Sequence, residues 1–235
     1  MREYSQATHD DFEYIEKNVS TAYKYMKCEG AIAMLESSKL LFKNPSSFND
    51  PYDCYLGLIK FDNIENYKKH IESRAKGSMK DLVLIKLLEK SDEELSQLMQ
   101  DAMKKQFSRI GITCFSEHFR NLLMWSHYSD SHKGVCYSTE EVEPFINCFR
   151  TKSEDWQFEK EIRMVVFQAN LDANKQVHIP FIKDIIMEVY LGRKIYPNDE
   201  EKIINICIKD YPHTKIFKMK LDNTKFNLIP EEIKQ

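Results

Sequence analysis

Glu159-Lys160-Glu161-Ile162-Arg163-Met164-Val165-Val166-Phe167 reads as a β-strand, because β-branched and aromatic residues follow its charged start. On a strand, Glu159, Glu161 and Arg163 point to one face. Two neighbouring carboxylates followed by an arginine can bind hydroxyls or stabilise a cation-like transition state. The same three residues could equally form a solvent-exposed ladder of charges. Further strands are expected at Thr21–Tyr25, Leu40–Phe42, Ile110–Phe115, Lys133–Ser138, Ile186–Leu191, Lys215–Leu221 and Lys225–Ile229.

Helices are expected over 9–20, Glu29–Ser38, 119–128, 140–148 and 198–209, the last beginning after Pro197. The sequence has no βαβ regularity, no G-x-G-x-x-G, no P-loop and no repeat, and only 6 glycines. Mixed strands and irregular helices predict one α+β domain over residues 1–235. Residues 62–107 stand apart. They are rich in Lys, Glu and Leu, lack proline and carry helical periodicity, with a capping box at Ser91-Asp92-Glu93-Glu94. They predict a helical segment inserted between strands of the main fold.

The 235 residues include 42% hydrophobic side chains, enough for a sizeable core. A net charge of −3, from 34 basic and 37 acidic residues, gives no bulk attraction to nucleic acid or an anionic membrane. No run is long and apolar enough to span a bilayer, and the polar, acidic start does not resemble a signal peptide. The cysteines at 28, 54, 114, 136, 148 and 207 form no C-x-x-C pair and lie mostly in apolar settings. Reduced, structural thiols in a cytoplasmic protein are the expectation.

Three clusters carry chemistry. In Phe48-Asn49-Asp50-Pro51-Tyr52-Asp53, two carboxylates, an amide and two aromatics suit recognition of a ribose or a base. A turn satisfying its own backbone would use the same residues. The second cluster runs from Cys114-Phe115-Ser116 through Arg120 to Met124-Trp125-Ser126-His127-Tyr128 and His132. A helix over 119–128 would place Arg120 and His127 on one face. Trp125 and Tyr128 would stack on an aromatic ligand or close the core. The three histidines lack common zinc spacings, so no metal site is expected. A Cys114/His127 nucleophile pair is conceivable, although nothing marks Cys114 as activated. The third cluster is Trp156–Arg163. Its Glu-Lys-Glu departs from a PD-(D/E)-x-K nuclease core.

Together the clusters resemble a bacterial and phage family of unknown function found near mobile elements and defence genes. Its marks appear here as Tyr23–Tyr25, Ser46–Asp53, Cys114–Ser116, Met124–Tyr128, His132–Gly134 and Glu159–Arg163, covering about residues 21–167. That layout is in turn similar, more distantly, to the ADP-ribosyltransferases, which split NAD+ and pass ADP-ribose to an acceptor.

The resemblance implies a split-sheet core with NAD as substrate and a protein or nucleic acid as acceptor. By the same likeness Glu161 is the catalytic carboxylate, Glu159 the upstream acid and Tyr128 the middle aromatic. Lys24 (or Tyr23), with Tyr25 beside it, takes the first-strand position. Asn49, Asp50, Asp53, Arg120, Trp125, His127 and Arg163 complete the nucleotide contacts, with Arg120 or Arg163 on the pyrophosphate. An enzyme of the toxin or anti-phage effector kind is the leading expectation. The alternatives are a non-catalytic nucleotide- or partner-binding protein of a defence system, and a hydrolase using metal held by Asp50, Asp53 and the acidic pair.

Overall fold

The strand expected over 159–167 runs over Glu161–Val166 in the computed structural model, whose described residues are 21–56, 64–66, 68–69, 86–139 and 154–233. The helices expected over 9–20 and 140–148 lie outside those residues, as does much of the 62–107 segment. Nine strands form one mixed sheet among the described residues. They are β1 (Ala22–Met26), β2 (Lys39–Lys43), β3 (Gly111–Ser116), β4 (Val135–Thr139), β5 (Glu161–Val166), β6 (Gln176–Pro180), β7 (Ile186–Leu191), β8 (Lys215–Leu221) and β9 (Leu228–Glu232). Among the described residues the helices α1 (Cys28–Ser37), α2 (Asp92–Phe107), α3 (Leu122–His127) and α4 (Pro197–Asp210) accompany them. The fold is therefore mixed α+β, as the irregular order of elements predicts. Among the described residues no helix is long and apolar enough to cross a membrane.

The sheet runs β6-β2-β3-β1-β4-β7-β8-β9, antiparallel except at β7/β8, with β5 paired to β3. β5 fills one edge of β3 from Gly111↔Val166 to Ser116↔Glu161. β1 and β2 must then share the opposite edge, and each meets it at a single register pair. β2 does so at Lys43↔Ile112 and β1 at Tyr23↔Ser116. Between those two pairs the sheet forks. The Cys114 carbonyl, which faces the gap, accepts a 2.8 Å hydrogen bond from Lys24 Nζ, and Thr113 Oγ1 accepts another at 2.7 Å. A lysine side chain thus satisfies a backbone group that a continuous ladder would have satisfied.

Period-two alternation assigns the two faces. Phe115, Ile162 and Tyr137 point to the face covered by α1 and α4, where Leu35, Ile203 and Cys207 complete the larger core cluster. Cys114, Val165 and Arg163 point the other way, toward the 45–54 loop. Trp125, fully buried, anchors a third cluster with Tyr25, Cys136, Tyr190 and Met219. Removing a side chain of that size from water is worth on the order of 5 kcal/mol.

Three local expectations change. Glu159 is not on the strand: residues Glu154–Glu159 form a 3-10 turn, and Lys160 follows with φ 43°. That left-handed residue separates Glu159 from the β5 ladder, so only Glu161 and Arg163 alternate on one face. Nor do Arg120 and His127 share a helix face. α3 begins after Asn121, whose side chain accepts hydrogen bonds from the Leu123 and Met124 amides, leaving Arg120 outside the helix. Finally, β6 has no counterpart in the sequence reading, and β9 lies a few residues beyond the expected 225–229. Both are edge strands containing proline, where local patterning is weakest. The capping box does form: Ser91 Oγ accepts from the Glu94 amide, and the Glu94 carboxylate accepts from the Ser91 amide.

Candidate functional site

Three remote segments meet beside the fork. Arg163, 5% exposed, donates from Nη1 to Asp53 Oδ1 and from Nη2 to Asp53 Oδ2, each at 2.8 Å. Its Nε donates to Glu161. The charged ladder on β5 is thus not a solvated surface but a buried ion-pair chain, Asp53–Arg163–Glu161. Burial works against the guanidinium charge, yet the Asp53 hydrogen bonds and the Glu161 charge outweigh it, and its pKa is raised. The Glu161 side chain keeps 14% exposure, so one carboxylate of the chain borders solvent.

Glu159, 2% exposed, reaches the same neighbourhood from the 3-10 turn, and its carboxylate accepts a hydrogen bond from the Tyr128 hydroxyl. Burial, then that hydrogen bond, push the phenol upward in pKa, so Tyr128 holds its proton. Ser116 and Asn121 fix the turn. Ser116 Oγ donates to the Glu159 carbonyl at 2.6 Å, and Asn121 Nδ2 donates to the Phe158 carbonyl. Neither residue is a candidate from sequence. Ser116 sits in the quoted Cys-Phe-Ser stretch, but a serine that holds a turn carries no pattern of its own.

Lys24 approaches from the other side of the fork. Desolvation of its ammonium lowers its pKa against the opposing pull of Cys114 and Glu161. The Cys114 thiol is pushed up by burial and by Glu161, so it rests as a thiol rather than a thiolate. His127 lies on the exposed side of α3 with its ring centroid 6.1 Å from that of Phe158. These placements do not assemble an activated Cys114/His127 pair.

The remaining candidates separate into two groups. Tyr25 and Trp125 belong to the core: Tyr25 donates to the His118 carbonyl at 2.6 Å and Trp125 Nε1 to the Phe119 carbonyl at 2.7 Å. Trp125 therefore closes the core and does not present a face to a ligand. Asn49 is exposed on its loop, and Asp50 Oδ1 accepts from the Tyr52 amide at 2.9 Å, the self-satisfied turn the sequence also allowed. Arg120 is exposed, with its guanidinium 4.9 Å from the Phe119 ring centroid. Of the first loop, then, it is Asp53 that joins the acidic pair.

The loop owes its position to Asn44, another residue the sequence reading passes over. This buried amide donates to the Phe107 and Ile110 carbonyls at 2.7 and 2.9 Å while its oxygen accepts from the Ser46 amide. It ties the loop to the segment between α2 and β3. No group of three or more His, Cys, Asp or Glu side chains among the described residues is arranged to hold a metal ion. Chemically, the arrangement offers one oriented, partly accessible carboxylate, a second carboxylate held by a phenol, and exposed Arg120 and His127 nearby in the chain. Compared with family models, with curated proteins and with solved structures, the chain finds no match.

Proposed function

We propose that the chain is an ADP-ribosyltransferase-like enzyme, of the toxin or anti-phage effector kind, that breaks the nicotinamide–ribose bond of NAD+ with Glu161 as its catalytic carboxylate. The observation that carries this reading is the oriented state of Glu161. Arg163 holds the carboxylate, Asp53 holds Arg163 with both oxygens, and the carboxylate still borders solvent. As the glycosidic bond lengthens, positive charge builds on the ribose. A fixed anion at the 2′-hydroxyl stabilises that transition state more than the ground state. Glu159, with Tyr128 donating to it, accepts the proton of the acceptor nucleophile. Arg163 acts as a positioning residue, and contact with the pyrophosphate falls to exposed Arg120.

The test is NAD+ consumption by the purified chain, with transfer of labelled ADP-ribose to lysate protein or nucleic acid. Turnover that disappears in Glu161→Gln while the circular dichroism spectrum is retained supports the assignment. Absence of both NAD+ binding by calorimetry and label transfer overturns it.

One observation favours a second reading, a non-catalytic nucleotide- or partner-binding protein of a defence system. Arg163, Lys24 and Trp125 are all engaged within the fold. That reading predicts a stable partner whose capture is unaffected by Glu161→Ala.

A further inference from the structure

The net charge of −3 is unevenly spread. On β2, Leu40 and Phe42 enter the core beneath α1 and α4, so Lys39, Leu41 and Lys43 point to the opposite face. Lys39 and Lys43 are exposed there, and so is His178, the register partner of Leu41 on β6. Asn44 joins this part of the face to the 45–54 loop. Its backbone amide donates to the Lys175 carbonyl at 2.9 Å, and its side chain holds the segment that carries Arg109. Lys175 Nζ in turn reaches Ser46 Oγ at 3.1 Å. Lys43, Lys175 and Arg109 thus border one loop, and Lys39 extends the row along β2. All four cations are exposed, and none forms an ion pair with a carboxylate. The carboxylates of the same segments are engaged: Asp53 by Arg163, Asp50 by the Tyr52 amide, and Asp172 by the Asn174 and Gln176 amides.

The loop also presents Tyr52 and Tyr55, edge to face with ring centroids 5.9 Å apart. Phe167 follows β5 and lies beside Arg109, whose carbonyl accepts from the Ala169 amide at 2.8 Å. Among the described residues five phenylalanine and tyrosine side chains are exposed, and these are three of them, the others being Tyr196 and Phe226. A lone exposed ring needs no account, but three on one basic surface do. An acidic protein surface would satisfy the cations and leave the rings idle. A chain of phosphates that bears flat bases uses both. A duplex hides the faces of its bases, so the strand must be single.

We infer that the 45–55 loop, the outer face of β2 and β6, and the segments around Arg109 and Phe167 form a binding surface for single-stranded nucleic acid. Lys39, Lys43, Arg109 and Lys175 neutralise phosphates, and Tyr52, Tyr55 and Phe167 stack on bases. The surface is a binding site in its own right and stands whether or not NAD+ is a substrate.

The experiment titrates the full chain into fluorescently labelled oligothymidylate and, separately, oligouridylate, each about 16 nucleotides long to fill one site, and reads anisotropy. Saturable binding to at least one of them is expected, and the one preferred tells deoxyribose from ribose. Affinity should fall with salt at a log–log slope of about −3, the value for roughly four neutralised phosphates. Lys39→Ala with Lys43→Ala should weaken binding and make that slope shallower by about 1.4. Tyr52→Ala with Tyr55→Ala should weaken binding at least about fivefold and leave the slope unchanged. All four positions are exposed, and circular dichroism checks that the variants fold. Arg193→Ala with Lys194→Ala, exposed cations of the loop between β7 and α4, should leave binding within about twofold. The inference is overturned if neither oligonucleotide binds, if a duplex of the same length binds as tightly as the single strands, or if either the lysine or the tyrosine pair can be removed without effect. Polyglutamate that binds as tightly as the oligonucleotides overturns it in favour of an acidic protein partner.

Discussion

Arg163 and Asp53, 110 residues apart in sequence, form a two-pronged buried ion pair with both N–O distances at 2.8 Å. The pair joins the Phe-Asn-Asp-Pro-Tyr-Asp loop to the β5 strand and leaves Arg163 Nε free to hold Glu161. Arg163→Met leaves the Asp53 carboxylate buried without its counter-charge, and the expected loss is about 3–5 kcal/mol. Urea denaturation reads it. Asp53→Leu combined with Arg163→Met removes both members of this pair and should recover the part of the loss that belongs to Asp53, leaving the smaller part that comes from Glu161 losing Arg163. A double variant no more stable than Arg163→Met would show that the packing of the stem, not the charge, is what matters.

The roles proposed for Glu159 and Glu161 differ, and kinetics separates them. If Glu161 acts on the ribose, Glu161→Gln should lower kcat by a factor on the order of 100 to 1,000 with little change in KM, as for loss of one transition-state electrostatic contact. Tyr128→Phe removes the donor to Glu159 and should lower turnover by about tenfold, the effect of one lost hydrogen bond to a charged group. Equal effects of both substitutions on KM alone would place these residues in ground-state binding.

The His-x-Gly stretch has a mechanical explanation. Asp130, Ser131 and His132 all adopt positive φ, and the chain then passes under β1, where a Cβ at Gly134 would overlap the Met26 carbonyl oxygen. The Gly134 carbonyl accepts from the Gly192 amide at 2.8 Å, and a Cβ at Gly192 would meet the His132 carbonyl. Backbone cannot move aside as a flexible side chain can. Gly134→Ala should therefore cost about 3 kcal/mol, at the upper end of ordinary single substitutions. A melting temperature within a degree of the native value would contradict the stated contact.

How much of this was legible follows from how local each signal is. β5, β7, β8, α1 and α4 announce themselves because their pattern and punctuation lie within ten or so residues. Ser91 and Glu94 are similarly self-contained. Glu159 was misplaced because a strand-like composition continues through Lys160, and only the left-handed φ there shows that the ladder starts later. Trp125 is ambiguous for a related reason: whether an indole faces a ligand or the core depends on partners such as Tyr25 and His132 from other segments. Asp53 over Asp50 is a three-dimensional choice. Nothing in the loop distinguishes the carboxylate that caps a turn from the one that reaches Arg163.

The buried thiols give the protein an alkaline limit. Burial raises Cys54 to about 12, Cys207 to about 12 and Cys28 to about 11, against about 9 for an unperturbed thiol. In each case the folded state holds the proton more tightly than the unfolded chain. Their contribution to stability is complete below about pH 9 and is lost as pH rises toward 11 and 12. The same shift cuts the thiolate fraction of Cys28 at pH 8 by about a hundredfold. Iodoacetamide under native conditions, followed by peptide mapping, should label Cys28, Cys54 and Cys207 far more slowly than in urea. Equal rates in the two states would refute the shielding.

Lys24 titrates with the opposite sign, which isolates its role in the fork. Desolvation lowers its folded-state pKa below 10.5, so the folded chain binds this proton less tightly than the unfolded chain. The charged ammonium therefore opposes folding at low pH, and that opposition fades as pH climbs from the lowered value to about 10.5. Lys24→Met abolishes the titration but also the bonds to Thr113 and the Cys114 carbonyl. Loss of the bonds shifts stability by an amount that does not depend on pH, whereas loss of the titration does. Subtracting the two stability–pH curves cancels the thiols, which both proteins share. The difference should move steadily in favour of the native chain as pH rises toward 10.5, measured by denaturant titration at several pH values. A difference that stays flat over that range would mean that the ammonium is well hydrated, and that the gap between β1 and β3 is open to water rather than closed by Lys24.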